Sequence, residues 1–231
     1  QLYVGSYLLL SFLSFMPGVF LFFFKNVENI QEDSLKEGNI RNLKSIVLQP
    51  RFLQAITAAA FAYAVMSFLM TATPLSMHVM ENMSLKETGL VLQFHVVAMF
   101  LPSLITGNLI KKYGHSAIIY GGVLFFFITV LLSLFEQTYL NYMLSLIFLG
   151  LGWNFLFISG TSLVVLTYNK EEKFKVQGIN DLIVFSTMAL ASLSAGILLN
   201  SIGWKMMNII CIPFLILIIL VSFVADKKSV S

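Results

Sequence analysis

The sequence predicts an all-α membrane protein of seven transmembrane helices, the last six arranged as two inverted three-helix repeats. Three observations predict it. First, 58% of the 231 residues are apolar and only 11% charged, whereas water-soluble chains carry about 25% charged residues. Second, seven apolar runs reach the length of about 20 residues that about 30 Å of hydrocarbon requires of a helix. Third, the basic residues fall almost entirely on one side of those runs.

The first run covers 2–24. It is separated from the rest by 25–51, a polar stretch of mixed charge. Within it Ser34-Leu35-Lys36-Glu37 has the spacing of a capping box, after which Leu35, Leu43, Ile46 and Val47 give a helix lying on the membrane surface. A flexible linker is the other reading of this stretch. The remaining runs cover 52–75, 89–110, 117–135, 141–167, 179–200 and 206–225. The organisation is therefore one helix (1–24), an intervening cytoplasmic loop (25–51) and a six-helix unit (52–231). The chain starts without Met and almost directly inside an apolar run, which predicts a piece of a longer protein.

Lys and Arg accumulate on the cytoplasmic side of membrane proteins. Counting alternate connectors, one side holds Lys25, Lys36, Arg41, Lys44, Arg51, Lys111, Lys112, Lys170, Lys173, Lys175, Lys227 and Lys228; the other holds Lys86 and Lys205. The first side is cytoplasmic, so the chain begins outside and its C-terminal tail lies in the cytosol of a cell bounded by a plasma or inner membrane. The positive charge of +3 is thereby accounted for as a topology signal, with no nucleic-acid partner. A single cysteine, Cys211, excludes an internal disulfide framework and a multi-cysteine metal site, and no cofactor is read.

Pro102–Gly114 reads PSLITGNLIKKYG and Ala191–Gly203 reads ASLSAGILLNSIG. Ser103, Leu104, Gly107, Leu109 and Gly114 match Ser192, Leu193, Gly196, Leu198 and Gly203 at one offset. The copies end the third and sixth runs, a step of three, so they lie in opposite orientations, as in the inverted repeats of secondary transporters.

At Gly107-Asn108-Leu109-Ile110-Lys111-Lys112-Tyr113-Gly114 the chain resembles the cytoplasmic signature loop of the major facilitator superfamily, G-x-x-x-D-[RK]-x-G-[RK]-[RK]. Gly107, Lys112 and Gly114 fit; Lys111 stands at the acidic position, and His115 and Ser116 at the trailing basic ones. The resemblance implies a sixth helix, the central cytoplasmic loop and the second six-helix half of such a transporter. Its partners would be a small solute, with or without a coupling proton, the bilayer and the N-terminal half. Thr73–His78, Gly150–Phe155 and Gln177–Asp181 resemble a bacterial subgroup that includes a flavin importer.

Polar groups at membrane depth are costly unless paired or facing an aqueous cavity. Tyr63, Ser67, Thr71, Pro74 and His78 share one face of the second run, with His78 at the outer rim. On the third run Gln93 and His95 point about 200° apart; His95 is the pathway candidate, or else a histidine bonded between helices. Trp153 and Asn154 lie near the middle of the fifth run, as pathway residues or as packing and helix glue. The resemblance favours the second and fifth runs as cavity-lining. Asp181, the single carboxylate within a run, caps its helix, closes a gate with Lys111 or another base, or couples to protons. Lys170–Lys175 is read as a solvated topology signal. The small residues Ala58–Ala60 and Ala189–Gly196 are read as close helix contacts.

A heptahelical receptor and a membrane enzyme are the rival classes. The receptor leaves the repeat unexplained and lacks a cysteine pair; the enzyme lacks H-E-x-x-H, G-x-S-x-G and a pair of intramembrane carboxylates.

Overall fold

The computed structural model describes residues 4–23 and 41–230, which are helical throughout apart from short connections. Gln1–Ile40 and Arg41–Ser231 are separate units. Helix α1, Val4–Phe23, is a single apolar helix with Pro17 inside it and no buried residue.

The second unit opens with α2, Leu43–Val47, which is capped by Asn42. The capping box read at Ser34–Glu37, and Leu35 with it, lies outside the described residues. Ile46 is nonetheless part of the packed core, with Leu43 and Val47 against it, so this stretch joins the bundle. Next come α3 (Pro50–Pro74), α4 (Leu85–Phe100), α5 (Ser103–Tyr113), α6 (His115–Ser133), α7 (Tyr139–Val165) and α8 (Lys173–Val230). Pro50 opens α3, where its missing N–H costs nothing. Pro74 is followed by a π-helical turn, Leu75–Met80, that carries the helix to its outer end. Capping boxes start α4 (Ser84 with Glu87) and the 3₁₀ turn before α8 (Asn169 with Glu172).

Among the described residues five helices are long and apolar enough to cross a bilayer, or six when α4 and α5 are taken as one span bent by 40°. The seven runs read from sequence map onto these with two differences. The third is broken at Leu101-Pro102, because a proline inside a helix removes a hydrogen bond and its ring pushes against the preceding turn. The sixth and seventh join in α8, whose 58 residues would extend about 87 Å if straight, at about 1.5 Å per residue. Gly203 interrupts α8 with φ 75° and ψ 171°. Gly114, which ends α5, has φ 83° and ψ 162°. Both matching segments thus end in a glycine at an angle that side chains resist.

Helix α7 is the hub. It packs against α3, α4 and α6, while α3 also packs against α8. Glycines open each of these α7 contacts to backbone approach. A Cβ on Gly150 would sit 2.7 Å from the His95 carbonyl of α4, and one on Gly160 would sit 2.7 Å from the Ala55 carbonyl of α3. A Cβ on Gly152 would meet the Phe126 ring and, at 3.0 Å, the Gly122 carbonyl of α6. Ala58, Ala59 and Ala60 of α3 are all buried; in Ala189–Gly196 Ala195 is wholly buried, Ala191 and Gly196 are half-buried and Ala189 is exposed. Close packing therefore covers the whole of the first small-residue stretch and part of the second.

Candidate functional site: the mid-span face of four helices

Tyr63 and Ser67 are half-buried and Thr71 is exposed, while Ala62, Val65, Met66 and Leu69 between them are buried. One side of α3 thus remains open, the side that spacing by four residues selects. Thr71 Oγ1 lies 3.1 Å from Ser192 Oγ of α8. His78, exposed in the π-helical turn that follows α3, donates from Nδ1 to the Met83 carbonyl at 2.7 Å, since a carbonyl only accepts.

The centre of this face is aromatic. Trp153 and Phe157, one turn apart on α7, stack with centroids 4.9 Å apart and planes 14° apart. Tyr63 meets both edge-on, at 5.3 Å and 5.0 Å. Phe100 of α4 tilts against Trp153 at 5.8 Å, and Phe185 of α8 against Tyr63 at 6.0 Å. These edge-to-face geometries are the favoured ones for rings with negative faces and positive edges. Five rings from four helices therefore converge close to the middle of their spans. Trp153 is buried and its indole N–H has no partner among the described residues. Sequence reasoning found Tyr63 and Trp153 but missed Phe100, Phe157 and Phe185. Among 22 phenylalanines the one available signal was the four-residue spacing of Trp153 and Phe157.

Asn154 and His95 do not reach this face. Asn154 is wholly buried between α7 and the α4–α5 break. Its amide donates to the Met99 carbonyl at 2.6 Å and to Ser103 Oγ at 2.7 Å, and accepts from Thr106 Oγ1 at 2.7 Å. In an unbroken helix the Met99 carbonyl would take the Ser103 N–H. The break frees that carbonyl, and Asn154 satisfies it, as a group in hydrocarbon requires. His95 is also wholly buried. Its Nδ1–H donates to the Leu146 carbonyl of α7 at 2.7 Å, and Nε2 has no partner among the described residues. Both residues occupy the interhelical positions that their alternative readings describe, because α7 approaches α4 closely at Gly150.

The charged candidates lie at the end of the bundle for which the basic residues predict a cytoplasmic position. Asp181 is exposed and accepts from its neighbour Asn180 at 3.1 Å, not from Lys111. Lys111 and Lys112 are exposed on the last turn of α5, with Lys112 Nζ 5.0 Å from the centre of the Tyr113 ring. Gly107 has open space around it, as has Gly114.

Two ion pairs that sequence reasoning did not single out fasten this end. Arg51 of α3 pairs with Asp226 of α8 at 2.8 Å, and Ser116 of α6 donates to the same carboxylate at 2.6 Å. Arg41 holds the nearly buried Glu172 through Nη2 at 2.6 Å, Nε at 2.9 Å and its backbone N–H at 3.0 Å. The Asn169 N–H adds a fourth bond to Glu172. Donors around the charged form favour it. The Arg41 side chain above all, with the Asn169 and Arg41 backbone N–H groups, holds the Glu172 carboxyl at about 2.

Comparison with known proteins fits this arrangement. The sequence pattern described as Major Facilitator Superfamily matches residues 57–231. Riboflavin transporter RfnT of Brucella anthropi is 35% identical over 218 residues, 94% of this chain and 54% of that protein. Two Bacillus subtilis proteins, described as uncharacterized MFS-type transporters, also match. YdeG is 26% identical over 89% of this chain and 50% of its own length; YddS is 30% identical over 64% and 34%. The chain thus spans about half the length, or less, of the curated relatives it matches. All three are named as transporters and none as an enzyme.

Proposed function

Because the chain belongs to the major facilitator superfamily, we propose that it is the C-terminal half of a secondary transporter that carries a small solute across the cell membrane by alternating access. The observation that carries this reading is the pair of matching segments. They end in Gly114 and Gly203 with nearly the same backbone angles, and two spans, α6 and α7, lie between them, so in an alternating chain the segments run in opposite directions. That arrangement fits two inverted three-helix units, which in transporters supply the two alternating states.

In this reading α8 divides at Gly203, α4 and α5 form one bent span, and the count including α1 is seven. Residues 1–24 are the last helix of the N-terminal half and 25–51 the loop between halves. The connector carrying Lys111 and the tail after Asp226 are cytosolic, and Asn82 faces outside. Tyr63, Ser67, Thr71 and Trp153 line the pathway. Asn154 and His95 hold its wall, the unpartnered Nε2 of His95 being where a coupling proton would bind. Asp181 closes the cytoplasmic end against a base in the other half, and Lys111 and Lys112 act at the cytoplasmic end of α5.

The test is uptake by the complete protein in sealed liposomes, beginning with riboflavin, the solute named for the Brucella relative, and extending to a panel of small solutes. Saturable accumulation driven by an imposed proton gradient is expected. The 231-residue chain alone should give none, since the pathway forms between two halves. Saturable transport by the chain alone, or none by the complete protein for any solute, overturns the reading. Orientation is checked by labelling single cysteines at Glu171 and Asn82, in a Cys211-free background, with an impermeant thiol reagent on intact cells. Only Asn82→Cys should react.

A further inference from the structure

We infer that the aromatic group at mid-span is a stacking site for a planar heteroaromatic solute with an acceptor on its ring edge and a hydroxylated tail. The inference rests on the transporter reading and specifies what that transporter recognises.

The five rings do two different jobs. Tyr63, Trp153 and Phe157 pack on one another, so their positions are fixed by contacts inside the unit. Phe100 and Phe185 are 59% and 50% exposed, and each leans by its edge on one of the fixed rings. Their free faces therefore have a set tilt and lie on two helices, α4 and α8, that flank the opening. A flat conjugated ring is the ligand that such faces bind best. Stacking on aromatic side chains needs only a π-face and little further reorganisation.

A second, independent observation points the same way. The Trp153 indole N–H is buried without a partner among the described residues, a costly state at membrane depth. The side chain leaning on Trp153 from the open side is Phe100. Rotation of Phe100 opens the N–H to an acceptor on the ring edge, as a ring nitrogen or carbonyl provides. The polar groups of the face continue outward along α3 from the rings: Ser67 is one turn beyond Tyr63, and the hydroxyls of Thr71 and Ser192 form a pair one turn further. Hydroxyls in a row, outside a flat apolar platform, suit a polyol tail that extends from the ring.

The experiment uses the complete transporter in lipid nanodiscs. Three probes are titrated: lumichrome, which has the tricyclic ring without the tail, riboflavin, which has both, and ribitol, which has the tail alone. Quenching of ring fluorescence reports binding of the first two, and competition reports the third. Lumichrome and riboflavin are expected to bind and compete with each other, riboflavin more tightly, with ribitol ineffective. Phe100→Leu and Phe185→Leu keep the volume and remove the π-face; each should weaken binding about three- to tenfold, with Phe185→Tyr restoring it. Trp153→Phe keeps the stack and removes the donor, and should weaken riboflavin by a similar factor. Phe125→Leu, in a separate aromatic group with Phe148 and Phe155, should bind as the parent does.

A transporter that moves some other solute while neither ring compound binds overturns this inference and leaves the transporter reading standing. Full binding by both leucine variants, or competition by ribitol equal to that of lumichrome, overturns it too. Ring compounds bound in this pattern by a protein that moves no solute would support the site and overturn the transport reading.

Discussion

Pro102–Gly114 and Ala191–Gly203 carry matching residues and end in glycines with the same backbone twist, yet they are built differently. The first begins at a break of 40° and is held there by three hydrogen bonds from Asn154. The second continues its helix without a break as far as Gly203, and the Ser192 hydroxyl pairs with Thr71 of α3 at 3.1 Å. At the matched position the partners differ: Ser103 accepts from the buried Asn154 of α7, and Ser192 pairs with Thr71 of α3. One sequence element thus serves as a bent, latched joint in one copy and as a continuous strut in the other. Pro102 against Ala191 is the residue difference that decides it.

Removing the latch should break the comparison most severely. Asn154→Leu leaves the Met99 carbonyl without its donor and removes the bond to Ser103, while Thr106 keeps its bond to the Pro102 carbonyl; a loss of about 2 kcal/mol is expected. Unfolding of the complete protein in mixed micelles, by denaturing detergent, measures it. A change below about 0.5 kcal/mol would mean that the break holds itself.

Gly114→Ala and Gly203→Ala test the shared part. Both sites have open space for a methyl, so the cost is conformational, about 1–2 kcal/mol each. Equal losses sharpen the match between the copies, while a loss at one site alone separates them. Pro102→Ala should partly straighten the joint at a cost under about 1 kcal/mol. Spin labels at Lys86 and Lys112 should then move apart by roughly 2 Å, from the lengths of the two arms at about 1.5 Å per residue. An unchanged distance would assign the bend to Asn154 instead of the proline.

The smallest effect concerns the connector ahead of the unbroken copy. Glu172 titrates near 2 when held by Arg41, below its ordinary value. Its contribution is therefore complete above the ordinary carboxylate range and fades only as pH falls through about 2. Hydrogen exchange of the amides at Asn169–Lys173, corrected for intrinsic rates, should accordingly show the same protection from pH 5 to 8. Arg41→Gln should remove that protection and bring Glu172 back toward ordinary titration.

The helices were legible because a bilayer demands long apolar runs, and the demand overrides local detail. The open side of α3 was legible for a related reason: Tyr63, Ser67 and Thr71 recur every four residues among buried apolar neighbours. The break at Leu101-Pro102 had its signal in the proline, but within an unbroken apolar run that proline reads equally as one member of the His95 face. Asn154 and His95 share another difficulty. Each lies near mid-span with a polar group, and only the approach of α4 to Gly150 of α7 decides that these groups meet carbonyls between helices. Phe100, Phe157 and Phe185 were invisible among so many phenylalanines, since convergence from separate helices leaves no period in the sequence. The Arg41–Glu172 pair joins residues 131 apart and belongs to the same class.

The three glycines of α7 have a mechanical consequence. At Gly152 the Phe126 ring of α6 fills the space, but where Gly150 and Gly160 meet α4 and α3 main chain bears on its neighbour almost directly. Such joints have little compliance, since there are no rotamers at the contact to absorb a displacement. A push on α4 or α3 is carried through α7 to the other as through a single beam. The break at Leu101-Pro102 is a flexure of another kind, where the load path passes through three hydrogen bonds instead of packed backbone. A force applied at the Tyr113 end of α5 would then be spent turning that flexure, and the aromatic platform on α3 and α7 would ride along undistorted.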